Sequence, residues 1–368
     1  MPSRPRICLN MIVKDESAVI ERCLSLVRPY VDSWVIVDTG SSDDTMARIE
    51  AAMAGIPGKL HQRPWRDFGH NRSEAAALAY ASGADYLLFM DADDSFVPQP
   101  GFAWPALDAD AYALMLVSEQ MQYTRSALVS TRLQWRWVGV LHEYPDSTPP
   151  AASTPLLEGL HILSTREGAR SRDPDKYKKD AAVLRAALQR EPDNARYAFY
   201  MAQSLRDAGE LQQALEAYRQ RMAMGGWYEE QWRAALEAAR LEERLGSPLA
   251  VVQQSYLAAF ELRVQRAEPL VDLARVMRGQ QRFALAYLYA GQACKLPMPD
   301  DRLFVEKAGY HWMRWDELSI AAYYVGEYQE SLRLCEQLLA NPVLPESQRA
   351  RVEANRQFAL GQLAPAQK

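Results

Sequence analysis

The feature that most constrains this chain is a change of rhythm near residue 170. Before it, short apolar runs of strand length alternate with helix-spaced patterns; after it, strand-like runs nearly vanish and Ala, Leu, Glu, Arg and Gln dominate. Residues 7–13, 34–37, 60–62 and 86–90 read as strands, and 19–26, a segment ending at Ile49, and 70–81 read as helices. Ser42 or Asp43 is the expected N-cap of the second helix. This β-α-β-α-β-α-β order implies a mainly parallel, Rossmann-like α/β sheet with helices on both faces. Ligands of such sheets bind beyond the carboxyl ends of the strands. Asp38 and Asp91 both stand at such ends.

The second half follows a helix-turn-helix rule. Ala198, Ala202 and Ala214 let paired helices approach closely, Tyr197, Phe199 and Tyr218 fill the space between them, and Gly209 makes the turn. Further turn glycines stand at 246, 279 and 326, at irregular intervals. A pair of helices cannot bury its apolar face alone, so several must stack. The expected organisation is an α/β domain over residues 1–168 and an all-α, tetratricopeptide-like repeat domain over 169–368, with the linker inside 166–176.

Bulk properties narrow the class. A length of 368 residues suits two domains, and 48% hydrophobic residues suffice for a core in each. The formal net charge of −5 disfavours a general polyanion binder. Cys8, Cys23, Cys294 and Cys335 form no CxxC and no metal-ligand spacing, so reduced thiols are expected. The opening apolar run is broken by Asn10 and ends at Lys14, too short for a signal sequence, and no apolar stretch is long enough to span a membrane. A cytoplasmic location is the expectation.

Three clusters carry chemistry. Asp91-Ala92-Asp93 follows a buried strand, and two carboxylates on one turn can reach one divalent cation, such as manganese or magnesium, that neutralises a departing diphosphate. The bland alternative is a solvated turn, which the position after Tyr86-Leu87-Leu88-Phe89-Met90 disfavours. Asp38 can accept hydrogen bonds from a base or a ribose, or simply cap the next helix, and Thr39 lies beside it. Lys14 and Arg72 are the candidate cationic partners of a phosphate, and Glu16 either orients Lys14 or meets the nucleoside. The third cluster runs from Trp135 to Tyr144. Here His142 is a candidate metal or diphosphate ligand, Glu143 a candidate general base, and Trp135 and Trp137 candidate stacking surfaces, the alternative being a core Trp pair. Glu119 and Asp146 are the next candidates for the base.

Taken together, Met11-Ile12-Val13-Lys14-Asp15-Glu16, Val37 through Thr45, His70-Asn71-Arg72 and Met90-Asp91-Ala92-Asp93 resemble the family 2 glycosyltransferases of GT-A fold. Leu141-His142-Glu143 looks like a marker of the bacterial subgroup with C-terminal tetratricopeptide repeats, which includes peptide S-glycosyltransferases. The resemblance implies an inverting transferase that uses a nucleotide sugar, UDP-sugar by preference, and manganese or magnesium. It places Asp38 at the base, Arg72 at the nucleotide, and Asp91 and Asp93 at the metal and diphosphate. Family members often have an Ala-Arg-Asn order before the third helix, whereas here the order is His70-Asn71-Arg72.

The acceptor stays open between a glycan, a peptide hydroxyl or thiol, and a hydroxymethylated pyrimidine in DNA. Arg125, Arg132 and Arg136, with the two tryptophans, permit the last of these. Trp227 and the aromatic residues of 311–318 offer either an acceptor surface or packing between repeats. Two rivals remain: a repeat scaffold with an inactive first domain, and a nucleotidyltransferase. The second normally needs a glycine-rich phosphate loop, which residues 9–14 lack.

Overall fold

A computed structural model describes residues 4–118, 122–165, 167–301 and 303–363. The chain divides into two compact units, Met1–Pro192 and Asp193–Lys368. The first therefore includes the helix α4 (Lys176–Arg190), which the sequence reading placed with the repeats.

In the first unit, β1 (Ile7–Val13), β2 (Ser33–Asp38), β3 (Gly58–Gln62) and β4 (Tyr86–Phe89) form a parallel half-sheet in the order β3-β2-β1-β4. Helices α1 (Ile20–Val27), α2 (Thr45–Ala52) and α3 (Phe68–Ala79) connect them, as expected from the apolar spacing. The period of two along β1 divides its side chains cleanly. Ile7, Leu9, Met11 and Val13 join the core that also holds Ile20, Cys23 and Leu24 of α1, whereas Cys8 joins the core that holds Ala76 and Ala79 of α3. Burial on both faces is why these strands read as unbroken apolar runs.

The sheet then continues in a way the sequence reading did not anticipate. β7 (Gln122–Ser130) pairs antiparallel with β4 and with β6 (Ala111–Val117). Next, β10 (Leu156–Ser164) runs parallel to β6, and β5 (Asp94–Pro98) closes the edge antiparallel to β10. A separate hairpin, β8 (Gln134–Val138) and β9 (Tyr144–Thr148), packs against α3.

The second unit stacks helix pairs: α5 (Ala195–Asp207) with α6 (Leu211–Ala223), α7 (Tyr228–Arg244) with α8 (Leu249–Leu262), α9 (Glu268–Gly279) with α10 (Phe283–Cys294), and α11 (Arg314–Tyr324) with α12 (Tyr328–Ala340). The helix α13 (Glu346–Leu363) follows. One Schellman-type bond, from an amide to the carbonyl five residues earlier, closes all four turns: Glu210 to Leu205, Ser247 to Glu242, Arg282 to Met277 and Glu327 to Ala322. The left-handed residue is Gly209, Gly246 and Gly326 in three turns, but Gln281, at φ 56°, in the fourth. Gly279, expected as the turn residue, is instead the last residue of α9. Trp312 and Trp315 are partly buried against the core of the last repeats, so they serve packing. No helix among the described residues is long and apolar enough to cross a membrane, and all four cysteines are free thiols.

Candidate active site

The first wall of the site comes from two loops at the carboxyl ends of β1 and β2. Val13 and Asp38 are register partners. The Thr39 amide and hydroxyl both donate to the Val13 carbonyl, at 2.9 and 3.1 Å. Asp15, held at φ 55°, donates its amide to Ser41 and accepts from the Ser42 amide at 2.7 Å. The Glu16 amide donates to Thr45 Oγ1, and the Ser17 amide to Asp43. These six polar contacts fasten the two loops together through Asp15 and through Asp43, which is expected as an N-cap of α2 but leaves that position to Asp44.

Inside this frame Asp38 is 1% exposed. Its Oδ1 accepts from the amides of Gly40 and Ser41, both at 2.9 Å, in the turn before α2 rather than at that helix's N-terminus, where Asp44 is the N-cap. Its Oδ2 is buried and takes no hydrogen bond from the described residues. A buried carboxylate oxygen without a partner is costly, and a donor group reaching it would relieve that cost. Lys14 is exposed beside it and makes no ion pair among the described residues. Glu16 does not orient Lys14. Its Oε2 accepts from the Ala169 amide at 3.0 Å, and burial, reinforced by the charge of Asp93, pushes its carboxyl up to about 7.

The second wall is the turn after β4. Leu87 and Phe89 face α3, and Asp91 continues toward that side. α3 is set by Asn10, whose buried side chain donates to the carbonyls of Val35 and Ala75 at 3.1 and 2.9 Å. Asn71 is also structural: its Oδ1 accepts from the Arg66 amide and its Nδ2 donates to the Pro64 carbonyl. The next residue, Arg72, is the one that reaches the site. It donates to Asp91 Oδ1 at 2.5 Å and to Glu143 Oε1 at 2.7 Å, with its guanidinium over the Trp137 ring. From β7, Arg125 donates to Asp91 Oδ2 at 3.0 Å and to Asp94 Oδ2 at 3.3 Å. These two cations hold the Asp91 carboxyl well below the usual carboxylate range despite its burial. Asp94 goes the other way: burial, then the charge of Asp91, pushes it up to about 7.

Asp93 accepts from the Gly168 amide at 3.2 Å, and its carbonyl accepts from Thr165. Burial and the charge of Asp91 raise its pKa, a repulsion that a cation between the two would relieve. Among the described residues no three His, Cys, Asp or Glu side chains gather as a metal cage. Two carboxylates on one turn nevertheless fit a hard divalent cation of the magnesium or manganese type, whose remaining ligands are commonly phosphate oxygens and water.

The hairpin loop supplies the third element. Gly69 of α3 lies so close to the Gly139 carbonyl that a Cβ would stand 2.3 Å from it, which brings residues 139–143 against the helix. Glu143 thereby meets Arg72, while its Oε2 takes no hydrogen bond among the described residues. His142 is exposed, at φ 53°. Asp146 pairs with Arg136, and Glu119 lies outside the described residues. Trp135 and Trp137, each 7% exposed, belong to the core under α3, with Trp137 edge-on to Phe89 at 5.0 Å. Their burial removes them as stacking surfaces for a sugar or base.

Residues 8–101 match the sequence model of glycosyl transferase family 2. A TPR repeat-containing protein of Synechococcus elongatus is 28% identical over 316 residues, 78% of this chain and 75% of that one. An uncharacterized glycosyltransferase of Rickettsia felis is 34% identical over 89 residues, covering 24% of this chain and 29% of that protein. The glycosyltransferase SunS of Bacillus phage SPbeta is 22% identical over 213 residues, covering 55% of this chain and 49% of SunS. Among solved structures, a tetratricopeptide repeat protein from Parabacteroides merdae covers 51% of this chain and 68% of that one, at 17% identity and a TM-score of 0.39.

Proposed function

We propose, from the premise that this chain is a glycosyltransferase with an N-terminal family 2 domain, that it moves a sugar from a nucleotide donor, UDP-sugar by preference, to a hydroxyl or thiol of a glycan or peptide. The observation that carries the reading is that Asp38 and Asp91 stand at the carboxyl ends of β2 and β4, the two strands that flank β1, with Asp38 Oδ2 buried and unpartnered among the described residues. That oxygen suits an imide N–H or a ribose hydroxyl. Lys14 and Thr39 stand where a nucleotide's polar groups would lie.

Asp91 and Asp93 would hold a manganese or magnesium ion together with the donor's phosphates. Bound there, the ion supplies charge neutralisation for the leaving diphosphate. Arg72 positions Asp91 and Glu143 relative to each other through its two ion pairs. Glu143 is the base, with Oε2 the oxygen that takes the acceptor proton as the nucleophile attacks the anomeric carbon from the opposite face. His142 flanks it as a further ligand of the metal or diphosphate. Glu16 holds the segment at residue 169 over the first loop. The repeat unit recruits the acceptor.

A donor screen tests this. The protein, with manganese, is incubated with a panel of nucleotide sugars and slow donor hydrolysis is recorded. Hydrolysis of one donor, lost in Asp93→Ala, is expected; equal hydrolysis by both proteins, or none by the folded parent, overturns the reading.

A further inference from the structure

Asp91 carries one negative charge yet faces two guanidinium groups, one on each carboxylate oxygen. The two arginines are not equally committed. Arg72 is anchored on three sides: by Asp91 at 2.5 Å, by Glu143 at 2.7 Å and by the Trp137 ring. Arg125 makes longer contacts, 3.0 Å to Asp91 and 3.3 Å to Asp94, and its Nε is buried without a partner among the described residues. It projects from β7 between Thr124 and Ser126, in register with Leu114 of β6.

We infer that Arg125 is an exchangeable cation of the leaving-group site: it occupies Asp91 Oδ2 in the resting chain and passes to the donor's diphosphate when a divalent ion takes Asp91. The inference rests on the reading of Asp91 as a cation ligand. Its physics is simple. A divalent ion at Asp91 Oδ2 weakens that oxygen's hold on a guanidinium, because the two cations repel and draw on the same negative charge. The displaced guanidinium then needs an anion, and Asp94 Oδ2 alone satisfies one Nη. A diphosphate offers adjacent oxygens that match the planar fork of an arginine. Arg72, tied to Glu143 as well, stays where it is. The two arginines therefore divide the work: Arg72 sets the geometry of the carboxylates, and Arg125 carries positive charge from the protein to the ligand.

One substitution should move two affinities in opposite directions. In Arg125→Gln, binding of inorganic pyrophosphate in saturating manganese, followed by calorimetry, weakens about ten-fold or more, the loss expected of a charge-assisted contact. Binding of manganese alone, followed by the electron paramagnetic resonance of the free ion, tightens, because its competitor for Asp91 is gone. Arg125→Lys keeps the charge but not the fork, so its pyrophosphate affinity falls between the two, and it carries the test if the Gln variant does not fold. A merely structural role would weaken both affinities or neither. Either result in Arg125→Gln, or parent-like pyrophosphate binding in Arg125→Lys, overturns the assignment. Manganese binding by Asp91→Asn equal to that of the parent removes the metal reading itself, and this assignment with it.

Discussion

Arg72 donates from Nε to Glu143 Oε1 at 2.7 Å, and the same guanidinium reaches Asp91, so a helix, a hairpin loop and a strand end share one cation. If Glu143 is the base, Glu143→Gln keeps a partner for Arg72 yet removes the proton acceptor. Sugar transfer should fall roughly a hundred-fold or more, while donor affinity by calorimetry stays within a factor of about two or three of the parent, well under the ~1.4 kcal/mol of a tenfold change. Unchanged transfer would rule Glu143 out as the base.

The contact between α3 and the hairpin depends on the absence of a side chain at residue 69. An alanine there would place Cβ 2.3 Å from the Gly139 carbonyl, a backbone atom that cannot rotate away. Gly69→Ala should destabilise the chain by about 1–3 kcal/mol and lower activity as well, since the loop that moves is the one carrying Glu143. A melting temperature equal to that of the parent would contradict the close approach.

Stability should depend on pH in a direction set by Glu16 and Asp94. Both carboxyls are raised to about 7 by burial first, from ordinary values of 4.5 and 3.8. Between those limits the folded chain holds more protons than the unfolded chain, so stability increases as pH falls. Asp91 and Asp43 are shifted downward, and their contribution is lost only below their ordinary value of 3.8. In EDTA the parent should therefore melt at a higher temperature near pH 5.5 than near pH 8. Glu16→Gln should narrow that difference, and a parent that melts equally at both values would refute the account.

The four repeat turns share one hydrogen-bond pattern, but only the turn at Gln281 places a side chain in the left-handed region. Such a conformation costs a non-glycine residue about 1 kcal/mol. Gln281→Gly should accordingly raise the melting temperature of the repeat unit, even though glycine loses more freedom on folding. Lowered stability would mean that the Gln281 side chain makes up for the strain.

Much of this molecule is local and was legible in its residues. Apolar periods of two and 3.6 mark the four parallel strands, the three helices between them and the helix pairs of the second unit, because the period of burial is a property of consecutive residues. The same locality puts Asp38 and Asp91 at strand ends, and Arg72 on α3. What brings charges together is not local. Arg72 meets Glu143 across 71 residues, and Arg125 meets Asp91 across 34. Nothing in either segment distinguishes a guanidinium that will be buried against a carboxylate from one that will face water. Trp135 and Trp137 read equally well as ligand platforms or as core, and only the hairpin's docking on α3 buried them. The antiparallel half of the sheet and the fastening of Asp15 and Asp43 across two loops likewise depend on chain reversals and hydrogen bonds between distant segments. Sequence alone determined which chemical groups stand at the strand ends; tertiary packing decided which of them share a proton, a charge or a lone pair.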